Sequence, residues 1–142
     1  MTNLKIAQSA RAWVGTPFKY QGRIKAVGCD CLGLVMGLAA EMNLLARNDI
    51  PISDYDITSY STDPDTNSMS AKLDELLWPC QKPIAGAVVV LEFAGNPQHL
   101  GIVGPEALSL IHSDITHRKV VEHGLNTEYI SKIVKIYSLL AI

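Results

Sequence analysis

Two textures in one chain predict an α+β domain built on an antiparallel sheet. Helix-spaced apolar residues and one long apolar run occupy the first half, whereas β-branched runs bounded by glycine follow at hairpin-like intervals after Pro83. Size is the third observation: 142 residues, 48% hydrophobic and 18% charged, suffice to bury one core, so a single domain over residues 1–142 is expected.

The elements follow in order. Over residues 3–14, Ile6, Ala7, Ala10, Trp13 and Val14 form the stripe of an amphipathic helix, with Thr2 or Asn3 as N-cap. Gly15-Thr16-Pro17 ends it, because proline removes an N–H and disfavours helical geometry in the residue before it. Residues 18–28 read as a polar loop. Asp30 then precedes an almost wholly apolar run, residues 31–45, predicted to be a central helix buried on most sides. Residues 47–67 read as loop with one short turn, and 70–77 as a short helix with Leu73, Leu76 and Leu77 on one side, stopped by Pro79. Strands are expected at 87–93, 100–103, 109–112, 120–122 and 133–139.

Several function classes drop out early. Twelve Lys plus Arg against fourteen Asp plus Glu give a net charge of −2, and the basic residues are scattered, so no nucleic-acid partner is expected. No apolar run reaches the length of a membrane span, and no membrane insertion is expected. Residues 1–15 lack the apolar core of a signal peptide, and three cysteines cannot all pair within the chain, which points to a protein made in a reducing compartment. Gly15, Gly22 and Gly28 form neither a dinucleotide nor a P-loop fingerprint. Cys29-x-Cys31 with two histidines does not match zinc spacing, and no metal or other cofactor is expected.

Cys31 is the leading candidate for chemistry. With Asp30 as cap it falls at the first helical position, where free N–H groups and the helix dipole stabilise a thiolate and can receive an oxyanion. Taken alone, Cys31 equally fits a packed apolar role, as do Cys29 and Cys80. A nucleophile needs a base. His99 opens the stretch Leu100-Gly101-Ile102-Val103, and His112 ends the next strand, thirteen residues on, where it can orient the ring of His99. His117 and His123 have no such placement and read as surface or core histidines. Arg23 and Lys25 are candidate cations for an acidic ligand, or solvated loop charges.

Together the motifs resemble the NlpC/P60 family of cell-wall cysteine peptidases. The matching segments are Trp13-Val14-Gly15-Thr16-Pro17-Phe18, Gly28-Cys29-Asp30-Cys31-Leu32-Gly33-Leu34-Val35, Gly86-Ala87-Val88-Val89-Val90-Leu91, His99-Leu100-Gly101-Ile102-Val103 and Leu110-Ile111-His112-Ser113. The form Asp-Cys-Leu-Gly-Leu-Val and the segment Val120-Val121-Glu122-His123-Gly124-Leu125 are similar to the phage-tail and gene-transfer-agent branch.

The resemblance implies a papain-like fold with the nucleophile's helix packed on the sheet. It implies Cys31 as nucleophile, His99 as base and acid, His112 as the group orienting His99, and Asp30 as helix cap. The substrate implied is the amide bonds of peptidoglycan stem peptides, cut through an acyl-enzyme. The alternatives are a structural tail-tip protein with little activity, or an amidase or acyltransferase using the same triad. Two positions depart from the family: Phe18 stands where a tyrosine is usual, with Tyr20 nearby as a substitute at the substrate or oxyanion, and Ala87 stands where an aspartate is frequent. The branch and the missing signal imply synthesis in a bacterial cytoplasm, phage-like tail proteins as partners, and delivery to the wall by a virion or tail tip.

Overall fold

Thr2 accepts the backbone N–H of Lys5 at 3.1 Å through its hydroxyl and so starts the first helix, α1 (Asn3–Arg11), whose buried stripe is Ile6, Ala7 and Ala10. The computed structural model describes residues 1–55, 66–93 and 96–141, apart from the side chains of 66–69 and 96–98. After α1 the chain forms a short hairpin, β1 (Arg23–Ile24) and β2 (Gly28–Cys29), within the stretch expected to be loop. The central helix α2 (Cys31–Glu41) follows, and every residue from Gly33 to Ala39 is buried.

Helix α2 stops four residues before the expected end. Asn43 takes a left-handed φ of 55°. Its N–H then bonds to the Ala40 carbonyl and that of Leu44 to the Ala39 carbonyl. This double closure is a standard helix stop, and asparagine tolerates the left-handed conformation it requires. A 3₁₀ turn (Ile52–Tyr55) and helix α3 (Thr66–Leu76) come next. Of the segment expected as loop, residues 56–65 lie outside the described residues.

The remaining strands are β3 (Trp78–Pro79), β4 (Val88–Phe93), β5 (Asn96–Val103), β6 (Ser109–Asp114), β7 (Lys119–Gly124) and β8 (Ile133–Ser138), with a one-turn helix α4 (Thr127–Ile130) before β8. They form one antiparallel sheet in the order β3-β8-β4-β5-β6-β7. Strand alternation splits its apolar residues between two cores. Val88, Val90, Leu100, Ile102, Ile111 and Val120 share one cluster with Ile6, Leu34 and Leu38 of the helices. Ala87, Val89, Leu91, Val103 and Leu110 face the other way, toward Tyr129, Ile133 and Ile136. The continuous apolar run of β4 reflects burial on both faces.

A set of backbone bonds ties the start of α2 to the sheet. Gly15 N–H reaches the Val120 carbonyl at 2.9 Å, Phe18 N–H the Arg118 carbonyl at 2.8 Å, and Cys29 N–H the Pro17 carbonyl at 3.0 Å. The Ser113 hydroxyl then donates to the Cys29 carbonyl at 2.7 Å in a buried bond. Residues 15–18 thus lie between β2 and β7, and Cys29 is held two residues before the candidate nucleophile.

Candidate active site

Asp30 is the N-cap of α2 and is only 5% exposed. Its Oδ1 accepts the Gly33 N–H at 2.7 Å and Nη1 of Arg23 at 3.1 Å, and its Oδ2 accepts the Gln21 N–H at 2.8 Å. One carboxylate therefore caps the helix and fastens the 21–23 segment over it. The close approach requires glycine at 33, where an added Cβ would stand 1.8 Å from the Gly22 carbonyl oxygen. Arg23, one of the two candidate cations, is engaged with Asp30, and Lys25 pairs with Glu41 at 3.1 Å.

Cys31 opens α2 and is half-buried. The backbone N–H of Leu100, next to His99, is directed at its sulfur, and the N–H groups of Leu32 and Cys31 at the helix start lie close by. These donors favour the thiolate, but burial outweighs them and pushes the thiol up to about 11. Burial of the sulfur thus works against the thiolate that the helix start favours. Burial likewise raises the thiol of Cys29, a core residue, to about 11. Cys80 is no core residue: it is half-exposed, with its sulfur 3.1 Å from the Lys82 carbonyl oxygen.

The histidines form a chain. His99 lies within β5 opposite Leu91, beside a bulge, rather than at the mouth of the strand. Its Nε2 is 2.6 Å from Nδ1 of His112, which is 2% exposed on β6. Nε2 of His112 is in turn 2.7 Å from Nε2 of His123, and Nδ1 of His123 is 3.0 Å from the Gly124 carbonyl oxygen. Phe93 meets the ring of His99 edge-on at 5.9 Å, and the ring of Tyr129 lies 4.5 Å from that of His123. Burial lowers His99 to about 4, against the pull of Asp114. Burial, then the neighbouring His99 and His123, lowers His112 to about 3. Both imidazoles are neutral at pH 7.

The fold thus brings Asp30, Cys31, His99 and His112 together. Phe18 is half-buried and pinned between β2 and Arg118, while Tyr20, 37% exposed, sits one residue before the anchored N–H of Gln21. His117 is at an exposed turn, 2.5 Å from Asp114. Sequence reasoning missed His123, together with the aromatic cover of Phe93 and Tyr129. Strand register places it: β6 pairs His112 with Val121, and residues two apart on a strand share a face, so His123 stands diagonal to His112. Among the described residues no group of three or more His, Cys, Asp or Glu is placed to hold a metal ion, and no helix is long and apolar enough to cross a membrane.

No family model matches the sequence, and no curated protein matches it. Solved structures do match in shape. One is the NlpC/p60 domain of the peptidoglycan hydrolase SagA, with a TM-score of 0.63 at 15% identity over 97% of this chain and 99% of that one. Another is an NlpC/P60 family protein from Bacillus cereus ATCC 10987, with a TM-score of 0.67 at 16% identity over 99% of this chain. This chain spans 41% of that protein's length. A third is an N-acetylmuramoyl-L-alanine amidase from Bacteroides uniformis ATCC 8492, with a TM-score of 0.54 at 14% identity over 95% of this chain and 97% of that one. The fold of this chain, a helix opening on Asp30-Cys31 and packed on an antiparallel sheet that carries His99 and His112, matches the fold of these solved NlpC/P60 domains.

Proposed function

We propose that this chain is a cysteine peptidase acting on the stem peptides of peptidoglycan. The observation that carries the proposal is the 2.6 Å pair of His99 and His112, placed beside a cysteine that starts a buried helix and takes a bond from Leu100, the residue after His99. The nitrogen of His99 that His112 does not engage, Nδ1, exchanges protons with the thiol. As the sulfur attacks the amide carbonyl, His99 takes the S–H proton, and the N–H groups at the start of α2 hold the oxyanion. The C–N bond then breaks, and His99 passes its proton to the leaving amine. Water attacks the thioester, gives a proton to His99, and the sulfur recovers it as the acid product leaves.

The choice of peptidoglycan draws on the hydrolase SagA and the amidase among the structural neighbours. Tail-tip delivery draws on the resemblance of residues 120–125 to the phage-tail branch. Purified protein is expected to release soluble peptides from sacculi, and Cys31→Ala to abolish release, with mass spectrometry identifying the bond cut. Equal release by the two proteins overturns the proposal.

Phe18, which lacks the hydroxyl of the tyrosine usual at that position, favours a second reading, a tail-tip structural protein with little turnover, and burial of the Cys31 sulfur, which raises its thiol, agrees with it. Trapping of a thioester on Cys31 with a stem-peptide substrate favours the peptidase, and stoichiometric binding without any acyl-enzyme favours the structural role.

A further inference from the structure

Catalysis as proposed uses His99 and His112 and leaves His123 without a role. We propose that His123, anchored on the Gly124 carbonyl, sets the direction of hydrogen bonding along the three imidazoles and so keeps the lone pair of His99 on Nδ1.

The direction follows from the one partner that has no choice. A carbonyl oxygen only accepts, so the 3.0 Å contact with Gly124 places the proton of His123 on Nδ1. In the neutral ring Nε2 is then bare. Across 2.7 Å, Nε2 of His112 must carry a proton, which leaves its Nδ1 bare. Across 2.6 Å, Nε2 of His99 must in turn carry a proton, which leaves Nδ1 of His99 as the base. Each neutral imidazole has one donor and one acceptor, so fixing one end fixes the other.

Reversal at His123 runs the chain backwards. With a proton on Nε2 of His123, His112 must accept there and carry its proton on Nδ1. His99 then accepts from His112 at Nε2 and holds its own proton on Nδ1, where it cannot take one from a thiol. Tyr129 covers the ring of His123 at 4.5 Å and lies 6.1 Å from that of His112, which is buried, whereas the His123 contact with Gly124 is exposed. His123 touches neither sulfur nor substrate and is a positioning residue. Its effect on turnover rests on the peptidase proposal, whereas the proton order does not.

The test is ¹⁵N NMR of the full chain labelled at histidine, which distinguishes protonated from bare ring nitrogens. Protons on Nδ1 of His123, Nε2 of His112 and Nε2 of His99 are expected. A proton on Nδ1 of His99, or on Nε2 but not Nδ1 of His123, overturns the proposal without any variant. His123→Lys, which can only donate, is expected to move the His99 proton to Nδ1. It should cut kcat on stem peptides by ~10²-fold or more, the usual share of a general base, with KM kept. His123→Gln, which can accept from His112 while donating to Gly124, is expected to keep the wild-type order and lose less. A folded His123→Lys protein with an unchanged His99 tautomer overturns the proposal. The expected order in a protein that releases no peptide supports the proton lock and removes the peptidase proposal instead.

Discussion

At Cys31, burial and the helix terminus act against each other, and burial wins. The N–H groups of Cys31, Leu32 and Leu100 favour the thiolate, yet the thiol stands at about 11, above its ordinary 9.0. A raised thiol is protonated at neutral pH, so alkylation of Cys31 should climb with pH through the alkaline range. Peptide mapping after iodoacetamide treatment separates it from half-exposed Cys80. A plateau below pH 9.0 sinks this expectation. Asp30 offers a second residue-scale check. Asp30→Ala removes the cap and leaves Arg23 and the Gln21 N–H without that carboxylate. Loss of a cap alone costs about 1 kcal/mol, and losing the part-buried bonds to Arg23 and Gln21 adds to it. Urea unfolding should show both, with Asp30→Asn recovering part of the loss because asparagine still caps.

Among the elements, the join between α2 and the 21–23 segment tolerates less change than the join between β5 and β6. A Cβ at Gly33 would meet backbone, the Gly22 carbonyl oxygen at 1.8 Å. A Cβ at Gly101 would meet the tip of the Leu110 side chain at 2.5 Å and then Cβ of His112 at 3.4 Å. A side-chain tip turns away, whereas a carbonyl moves only with its strand. Gly33→Ala should therefore destabilise by roughly 1–3 kcal/mol or more, and Gly101→Ala by less. Thermal unfolding of the two variants side by side checks the order; equal losses would contradict it. Sheet topology also explains how three histidines far apart in sequence meet. Two hairpins bring β5, β6 and β7 into adjacency, and period-two alternation then puts His112 and His123 on one face.

For the molecule as a whole, the buried imidazoles make stability depend on acid. In the unfolded chain histidine binds a proton near pH 6.5, but His99 and His112 resist it down to about 4 and about 3. The unfolded state therefore takes up protons first as pH falls. Their contribution is complete above pH 6.5 and is lost as pH drops toward the folded values. Between pH 6.5 and 4.5, where carboxylates such as Glu122 contribute little, a loss of roughly 2–4 kcal/mol is expected. His112→Gln should flatten that slope by about half. Unfolding free energies measured along this range decide the matter, and an identical slope in the variant would remove the histidines as its cause.

Much of this was legible in the sequence. Period and punctuation marked α1, the start of α2 and the five long strands, because helix stripes, caps and β-branched runs act over a few residues. The Asp30-Cys31 start and the His99 and His112 pair were legible for the same reason. Local signals failed where structure depends on distant partners. The hairpin of β1 and β2 follows Gly22, which fits against α2 only because residue 33 is glycine, and β3 is paired with β8. The helix stop at Asn43 is by contrast a local signal, because asparagine tolerates the left-handed φ of 55°. What only the tertiary structure decided is the electrical state of the site. Whether Cys31 rests as thiol or thiolate depends on what covers it. Whether His123 is a surface histidine or the end of a proton-sharing chain depends on strand register. Both are set by contacts between segments that sequence spacing alone does not bring together.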